Sequence, residues 1–404
     1  MHLSKLDLIN FKNHKESSLE LIDGINGFYG KNGSGKTNVL DAVYYMSMCK
    51  SYLNVRDRQN ILFNKEFFSI KGDWILRNKK ESIQCLVQQK TKKIFKRNKK
   101  EYERLADHIG MLPVVMISPY DRDLISEGSD LRRKWVDGVI SQQDRKYLNA
   151  LQGYYKCLEH RNTLLRTMNK RRSFDSELME PWNLKLIQLG EVIFSKRKEF
   201  VDEFIPTFLR FYESLGYKKE KVSLTYKSHL MEGDFKELLK VAENKDYALQ
   251  YSTVGTHRDD LKFLINKLPI KKFGSQGQQK SFIIALRLAQ YEWIKSHLKV
   301  KPTLLLDDVF DKLDKERVEK LISLVAENYF GQVLVTDTDK DRLVHILKKL
   351  PIDGIGCASS DYNLYWIPSD VVGMSDISGY ILKWNESTSE DISSANITSA
   401  TRDI

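Results

Sequence analysis

Polar and apolar positions alternate near the start of the chain, where Leu6, Leu8 and Phe11 are spaced by polar residues as in a half-buried strand. The run Ile25 to Tyr29 predicts a second strand that ends at a glycine. A helix is predicted to start near Lys36 and to pass through Leu40, Val43 and Tyr44. From Leu76 to Leu105 the pattern is strand-like, with Asn98-Lys99 as a turn, so a hairpin is expected. Past the apolar strand Val114 to Ile117 and the breaker Ser118-Pro119, long helices are predicted. Leu148, Leu151, Tyr155 and Leu158 recur at three- and four-residue steps, continued by Leu165, and this stripe reads as core packing. Helical character continues from Glu191 to Leu215, and strands return at Val222 to Tyr226 and Leu261 to Ile265. The expected layout is an α/β lobe in two parts, 1–118 and 301–368, with a mainly helical lobe, 119–300, inserted between them. The stretch 369–404 is poor in apolar periodicity and rich in Ser, Thr and Asp, and is expected to be a mobile tail.

With 404 residues and 41% hydrophobic content, the chain is long enough for one large or two medium domains. Its 65 Lys plus Arg against 54 Asp plus Glu leave a net charge of +11, which fits a polyanionic partner and equally fits simple solubility. Lys90 to Lys100 holds seven basic residues in eleven. Such a charge run is either a solvated edge that discourages strand pairing or a DNA-facing surface, and Lys92, Lys93, Lys96 and Arg97 are the positions to test; no residue is assigned to DNA. The four cysteines lie far apart with no CxxC pair, which argues against structural zinc and a disulfide framework. Lys5 and Asp7 interrupt the first apolar segment, and no run approaches the roughly 18 apolar residues of a bilayer span. A cytoplasmic protein without a membrane partner is expected.

Gly30, Lys31, Asn32, Gly33, Ser34, Gly35, Lys36 and Thr37 form a phosphate loop in the required context, after a strand and at the opening of a helix. Glycines let backbone N–H groups turn inward around phosphate, and the helix N-terminus favours an anion. Lys36 is expected to reach the β- and γ-phosphates of ATP and Thr37 to ligate Mg²⁺. Far downstream, Thr303 to Asp308 is an apolar strand ending in two carboxylates, a Walker B element. Asp307 would hold the magnesium and Asp308 would orient the attacking water, and Asp308 and Lys36, the latter through the phosphates, are the two catalytic candidates. Between these elements, Ser275, Gly277 and Gln278 lie in a Ser-Gln-Gly-Gln-Gln-Lys segment at a helix start, 32 residues before Asp307.

That segment resembles the signature motif of the ABC and SMC class of ATPases. In that class the motif caps the γ-phosphate bound by the other subunit, so the resemblance implies an ATP-dependent homodimer. Asp311 to Asp314 resembles the D-loop of the class, which makes Asp314 an interface candidate. Val333 to Asp337 resembles its final strand, with Thr336 or Asp337 where many members carry histidine, so the γ-phosphate sensor stays unassigned.

Six further segments are similar to the RecF family in order and spacing. They are Leu8 to Asn13, Lys50 to Arg56, Arg132 to Asp137, Tyr155 to Asn162, Gly255 to Asp260 and Phe273 to Lys280, and the resemblance covers residues 1 to about 340. Thr256 and Lys280 stand where the family usually has Pro and Arg. The resemblance implies an α/β ABC/SMC-type P-loop ATPase head with an inserted helical lobe, in which Arg56 approaches the nucleotide or the dimer seam. It implies a weak, DNA-stimulated ATPase working as a switch on double-stranded, gapped or junction DNA in repair and replication restart. RecO and RecR are the implied partners and loading of RecA the implied outcome. His257 and Arg258 read equally as packing and capping groups or as a coupling pair. The competing readings are an SMC-like structural ATPase and an ABC-type ATPase subunit, and a nuclease fusion. The 239 positions from Lys36 to Ser275 are too many for a transporter subunit and lack the sustained heptads of an SMC arm. The region after Walker B is too short for a nuclease domain.

Overall fold

The computed structural model describes residues 1–53, 56–215, 220–310, 330–348, 351–352, 355–356, 362–367 and 382–384. Alternation at the N-terminus produces β1 (His2–Phe11), which folds back on β2 (His14–Glu20). β3 (Ile25–Tyr29) runs into the phosphate loop and then α1 (Lys36–Met48). β4 (Phe67–Leu76), β5 (Lys79–Gln88), β6 (Ile94–Arg97) and β7 (Lys100–Glu101) follow, so the strand region starts earlier than the sequence pattern indicated. Asn98 and Lys99 both have positive φ, 50° and 70°, as a tight two-residue hairpin turn requires. These strands form one antiparallel sheet in the order β2-β1-β4-β5-β6-β7.

β8 (Val114–Ile117) opens the helical region: α2 (Asp123–Ser126), α3 (Ser129–Gln143), α4 (Arg145–Arg171) and α5 (Ser176–Ser214). β9 (Val222–Lys227), α6 (Phe235–Leu249), β10 (Asp260–Ile265) and β11 (Leu268–Pro269) come next, and the three strands pair in a small sheet. After α7 (Ile270–Phe273), α8 (Gln276–Leu298) leads to β12 (Thr303–Asp307) and β13 (Val333–Asp337), and a further helix spans Lys340–Lys348. Tyr362–Trp366 and Leu382–Trp384 complete the second large sheet. In it Tyr362–Trp366, β3, β13, β12 and β8 run parallel in that order, and Leu382–Trp384 lies antiparallel on the edge. The stretch expected to be a mobile tail therefore contributes an edge strand, while its other residues lie outside the described ones.

The parallel sheet is covered on both faces, and its strands are continuous apolar runs for that reason. Leu305 and Leu334 point to one side, into a core shared with α1 and the antiparallel sheet. Leu304, Leu306, Val333 and Val335 point to the other, into a core built by α3, α4, α5 and α8. Because α1 is sandwiched between two sheets it is buried almost all round, including Asp41 and Ser47.

In α4 the buried face is Tyr147, Ala150, Tyr154, Cys157, Leu158, Arg161, Leu165 and Met168. Leu158 and Leu165 lie where the stripe put them, but Tyr155 is 41% exposed and Tyr154 takes the core position. The displacement has a polar cause. Arg161 is held by Asp246 at 2.7 Å and Ser252 at 2.6 Å, and Tyr147 donates to Asp137, so these two positions of the face are held by partners that hydrophobic periodicity does not register. No described helix is long and apolar enough to cross a membrane.

Candidate functional site

The phosphate loop is braced from outside by the β1–β2 turn. Asn13 Nδ2 donates to the Gly33 carbonyl at 3.3 Å, its Oδ1 accepts from Asn38 at 2.7 Å, and His14 Nε2 donates to the Gly35 carbonyl at 3.1 Å. Gly35, with φ 105°, has no room for a side chain, because a Cβ there would lie 2.5 Å from Asn13 Oδ1. Gly30 is as constrained: a Cβ would lie 2.3 Å from the Ile367 carbonyl oxygen. Lys36 Nζ donates to the loop's own carbonyls, Gly30 at 2.7 Å and Lys31 at 2.9 Å. Burial holds the Lys36 pKa below the usual lysine value against the opposing pull of Asp308, Asp307 and Asp337.

Asp307 ends β12, where the parallel strands present their C-terminal ends, the usual ligand edge of such a sheet. Three hydroxyls converge on its carboxylate. Thr37 and Thr336 donate to Oδ1 at 2.8 and 2.9 Å, and Ser118 donates to Oδ2 at 3.2 Å. Burial raises the Asp307 pKa while those three hydrogen bonds and Lys36 pull it back. Asp308 has φ 51°, and its N–H donates to Thr336 Oγ1 at 3.0 Å. Thr336 therefore bonds the carboxylate of Asp307 and the backbone of Asp308. Asp337, by contrast, is buried against Arg342, which donates to it at 2.6 and 2.9 Å. Thr336 and Ser118 are site residues the sequence reading did not assign. Ser118 registered only as a strand breaker, although it directly follows β8, the neighbour of β12.

The donor set suits magnesium. A carboxylate and a threonine hydroxyl stand 2.8 Å apart beside a phosphate loop, all hard oxygen ligands. Among the described residues no cluster of three or more His, Cys, Asp or Glu offers a protein-only metal cage. An ion here would thus share its coordination with phosphate and water.

Ser275 is the N-cap of α8. Its Oγ accepts from the Gln278 N–H at 3.2 Å, and the Gln278 side chain accepts from the Ser275 N–H at 2.6 Å, a reciprocal capping box. Gln278 Nε2 also donates to Glu220 at 2.8 Å. Among the described residues, no hydrogen bond of Ser275 or Gln278 reaches residues 30–37, and Ser275 is exposed. A cavity of about 220 Å³ separates this helix start from Asp308, lined by Ser118, Arg122, Gln276, Gln279 and Lys280 among others. Arg56 is exposed, at the start of a short 3-10 turn spanning Asp57–Asn60. Asp314 and the rest of the D-loop candidate lie outside the described residues.

The basic hairpin needs a correction in detail. Lys93 is not a surface charge: it donates to Asp57 at 2.8 Å and to the Cys49 carbonyl at 2.7 Å, and lies over the Tyr45 ring. Arg97 is clamped bidentately on Glu81 at 2.7 and 2.9 Å. Lys90, Lys92, Arg97, Lys99 and Lys100 are the exposed charges of this segment, and of these Arg97 is the one held on Glu81. His257 is spoken for within the helical region, with Nδ1 accepting from Tyr154 at 2.8 Å and Nε2 donating to the Ser252 carbonyl at 3.0 Å.

The sequence pattern of the RecF/RecN/SMC N terminal domain matches residues 2–350. The DNA replication and repair protein RecF of Flavobacterium johnsoniae is 49% identical over 348 residues, 86% of this chain and 97% of that protein. The RecF of Phocaeicola vulgatus is 48% identical over 352 residues, 87% of this chain and 94% of that one. The chain belongs to the RecF family. Its structure agrees with a solved RecF described as a recombination mediator protein with ATP in the RecFOR pathway, at a TM-score of 0.80 and 27% identity over 91% of this chain and 95% of the other. The Smc head domain of Pyrococcus furiosus matches at a TM-score of 0.54 and 16% identity, a likeness of fold. The α/β ABC/SMC-type ATPase head with an inserted helical lobe is the RecF fold.

Proposed function

We propose that the chain is an ATP-dependent DNA-binding protein of recombinational gap repair and replication restart, working in the cytoplasm as a dimerising clamp. Residues 30–37 cradle the phosphates of ATP, with Lys36 leaving the Gly30 and Lys31 carbonyls for the β- and γ-phosphates. Thr37 and Asp307 hold Mg²⁺, which neutralises phosphate charge when bound. Asp308 orients the attacking water. Ser275, Gly277 and Gln278 of one copy cap the γ-phosphate held by the other, with Arg56 and Asp314 near the seam. Hydrolysis is slow and releases the clamp. RecO and RecR are the partners, loading of RecA is the outcome, and gapped or junction duplex DNA is the substrate.

The observation that carries this reading is the division of the site. Loop, metal-side acid and Thr336 are joined by hydrogen bonds, whereas Ser275 stands exposed on α8 with no such bond to them. A head of this kind is half of two composite sites. The SMC-like alternative loses ground because α4 and α5 pack into the core through Tyr154, Phe200 and Phe208 instead of projecting as a coiled coil. Sedimentation of the full chain with and without ATP, and with and without gapped duplex, tests the proposal. A monomer that becomes a dimer with ATP, with DNA binding that follows the nucleotide, is expected. A chain that stays monomeric at saturating ATP, with DNA affinity indifferent to it, overturns the reading.

A smaller effect isolates Thr336. Thr336→Val removes one donor to the buried Asp307 carboxylate and the Thr336 acceptor of the half-buried Asp308 N–H, at a cost of about 1–3 kcal/mol. Steady-state ATPase assays are expected to show turnover lowered about tenfold with the ATP affinity changed much less. Equal losses in both would instead mean that Thr336 serves binding.

A further inference from the structure

A buried polar joint ties the helix that carries Ser275 to the strands that carry Asp307. Arg287, on α8, donates to Asp121 through Nη2 to Oδ1 at 2.6 Å and Nε to Oδ2 at 3.2 Å. The same Nη2 donates to the Tyr52 hydroxyl at 2.8 Å, and that hydroxyl donates to Asp121. Nη1 donates to Gln290 Oε1 at 2.7 Å, an oxygen shared with the Trp135 indole of α3. Two hydrogen-bonded paths leave this knot. Asp121 accepts from the Ser118 N–H at 3.0 Å, and Ser118 Oγ reaches Asp307. On the other side, the Tyr52 N–H donates to Asp41 at 2.6 Å. Asp41 is fully buried on α1, the phosphate-loop helix, and is also gripped by Ser51 at 2.7 Å and Lys12 at 2.6 Å. Lys12 directly precedes Asn13, the brace of Gly33.

A buried ion pair of this kind is weak evidence of stabilisation, since two apolar side chains of like volume often serve as well. What it supplies is direction. A planar guanidinium held on two carboxylate oxygens and a phenol admits one orientation of the helix it sits on. The knot also borders a cleft of about 150 Å³ lined by Tyr44, Lys50, Tyr120 and Lys134 among others, while the rest of α8 from Ser281 to Tyr291 is buried.

We propose that Arg287 is a positioning residue: through Asp121 and Tyr52 it sets where the Ser275 end of α8 stands relative to the phosphate loop and Asp307 of its own chain. It thereby decides whether two ATP-loaded copies close in register. This inference rests on the composite-site reading above. The test uses the full chain as wild type, Tyr52→Phe, Arg287→Lys, Arg287→Met and the double variant Arg287→Met with Asp121→Leu, which leaves no unpaired buried charge. ATP binding to the monomer, ATP-driven dimerisation by sedimentation, kcat, KM and melting temperature are measured for each. The expected result is a kcat lowered at least about tenfold in Arg287→Met and in the double variant, with KM for ATP within about twofold. Arg287→Lys and Tyr52→Phe should fall between, the lysine recovering part of the dimerisation. Wild-type kcat in Tyr52→Phe, Arg287→Lys and the double variant overturns the proposal, as does a loss of kcat, ATP affinity and melting temperature in step. A wild-type chain that does not dimerise on ATP overturns the composite-site reading instead.

Discussion

Mixing a Lys36→Met chain with a Ser275→Arg chain is expected to restore ATP hydrolysis that neither performs alone. Lys36→Met removes the loop's dedicated counter-charge, so its own site cannot hold ATP productively. Ser275→Arg places a bulky cation where the γ-phosphate of the other copy must sit. Ser275 is exposed and its cap is worth only about 1 kcal/mol, so this variant folds and binds ATP as a monomer. Each parent should lose on the order of 10³-fold in turnover, the scale of a lost charge-stabilising group in phosphoryl transfer. In the mixed dimer one site unites both lesions, while the other joins the intact loop of one chain to the intact α8 of the other. Because neither parent is expected to form an ATP-held dimer with itself, the dimers that form are mixed, and with one whole site of two in each, roughly half of wild-type turnover is the ceiling, provided one ATP suffices to hold the dimer. Crosslinking of two distinguishable tags confirms that mixed dimers exist. Crosslinked mixed dimers as inactive as either parent would falsify action of Ser275 across the interface.

Asp308→Asn is expected to slow turnover by about 10²- to 10³-fold while leaving ATP binding and dimer formation intact. The substitution is structurally quiet. Asp308 has φ 51°, a left-handed conformation that Asn adopts as readily as Asp, and its N–H keeps Thr336 as acceptor. Asp307, with its three hydroxyl partners, is untouched, so metal and nucleotide stay in place. What is lost is the carboxylate that orients water. ATP-held dimers on DNA should then persist, and their dissociation after a chase with unlabelled DNA measures this directly. Wild-type turnover would assign the catalytic carboxylate elsewhere.

The parts of this protein that could be read without coordinates share one property: their chemistry is local in the chain. A phosphate loop needs consecutive glycines and a helix start, so residues 30–37 announced themselves, and a strand ending in Asp307 and Asp308 did the same. The core stripe of α4 was legible only in part. Leu158 and Leu165 follow hydrophobic spacing, but Tyr147 and Arg161 are buried because Asp137, Asp246 and Ser252 arrive from other elements to satisfy them. A polar side chain carries no sign of its partner in its own sequence neighbourhood. The same blindness misjudged Lys93, whose charge counted toward a surface patch and in fact reaches Asp57.

Sequence alone made the phosphate loop and the strand ending in Asp307 and Asp308 legible, because those depend on backbone conformation within one element, and the resemblance of its ordered segments to RecF made the fold class and the family legible. Only the tertiary structure decided which hydroxyls grip Asp307, since Thr37, Ser118 and Thr336 come from three separate segments that meet at one edge of the parallel sheet. It also decided that Arg287 and Asp121, 166 positions apart, form one buried pair. Burying a charge is costly unless its partner is already there. Such a contact therefore exists only once the whole chain is folded around it.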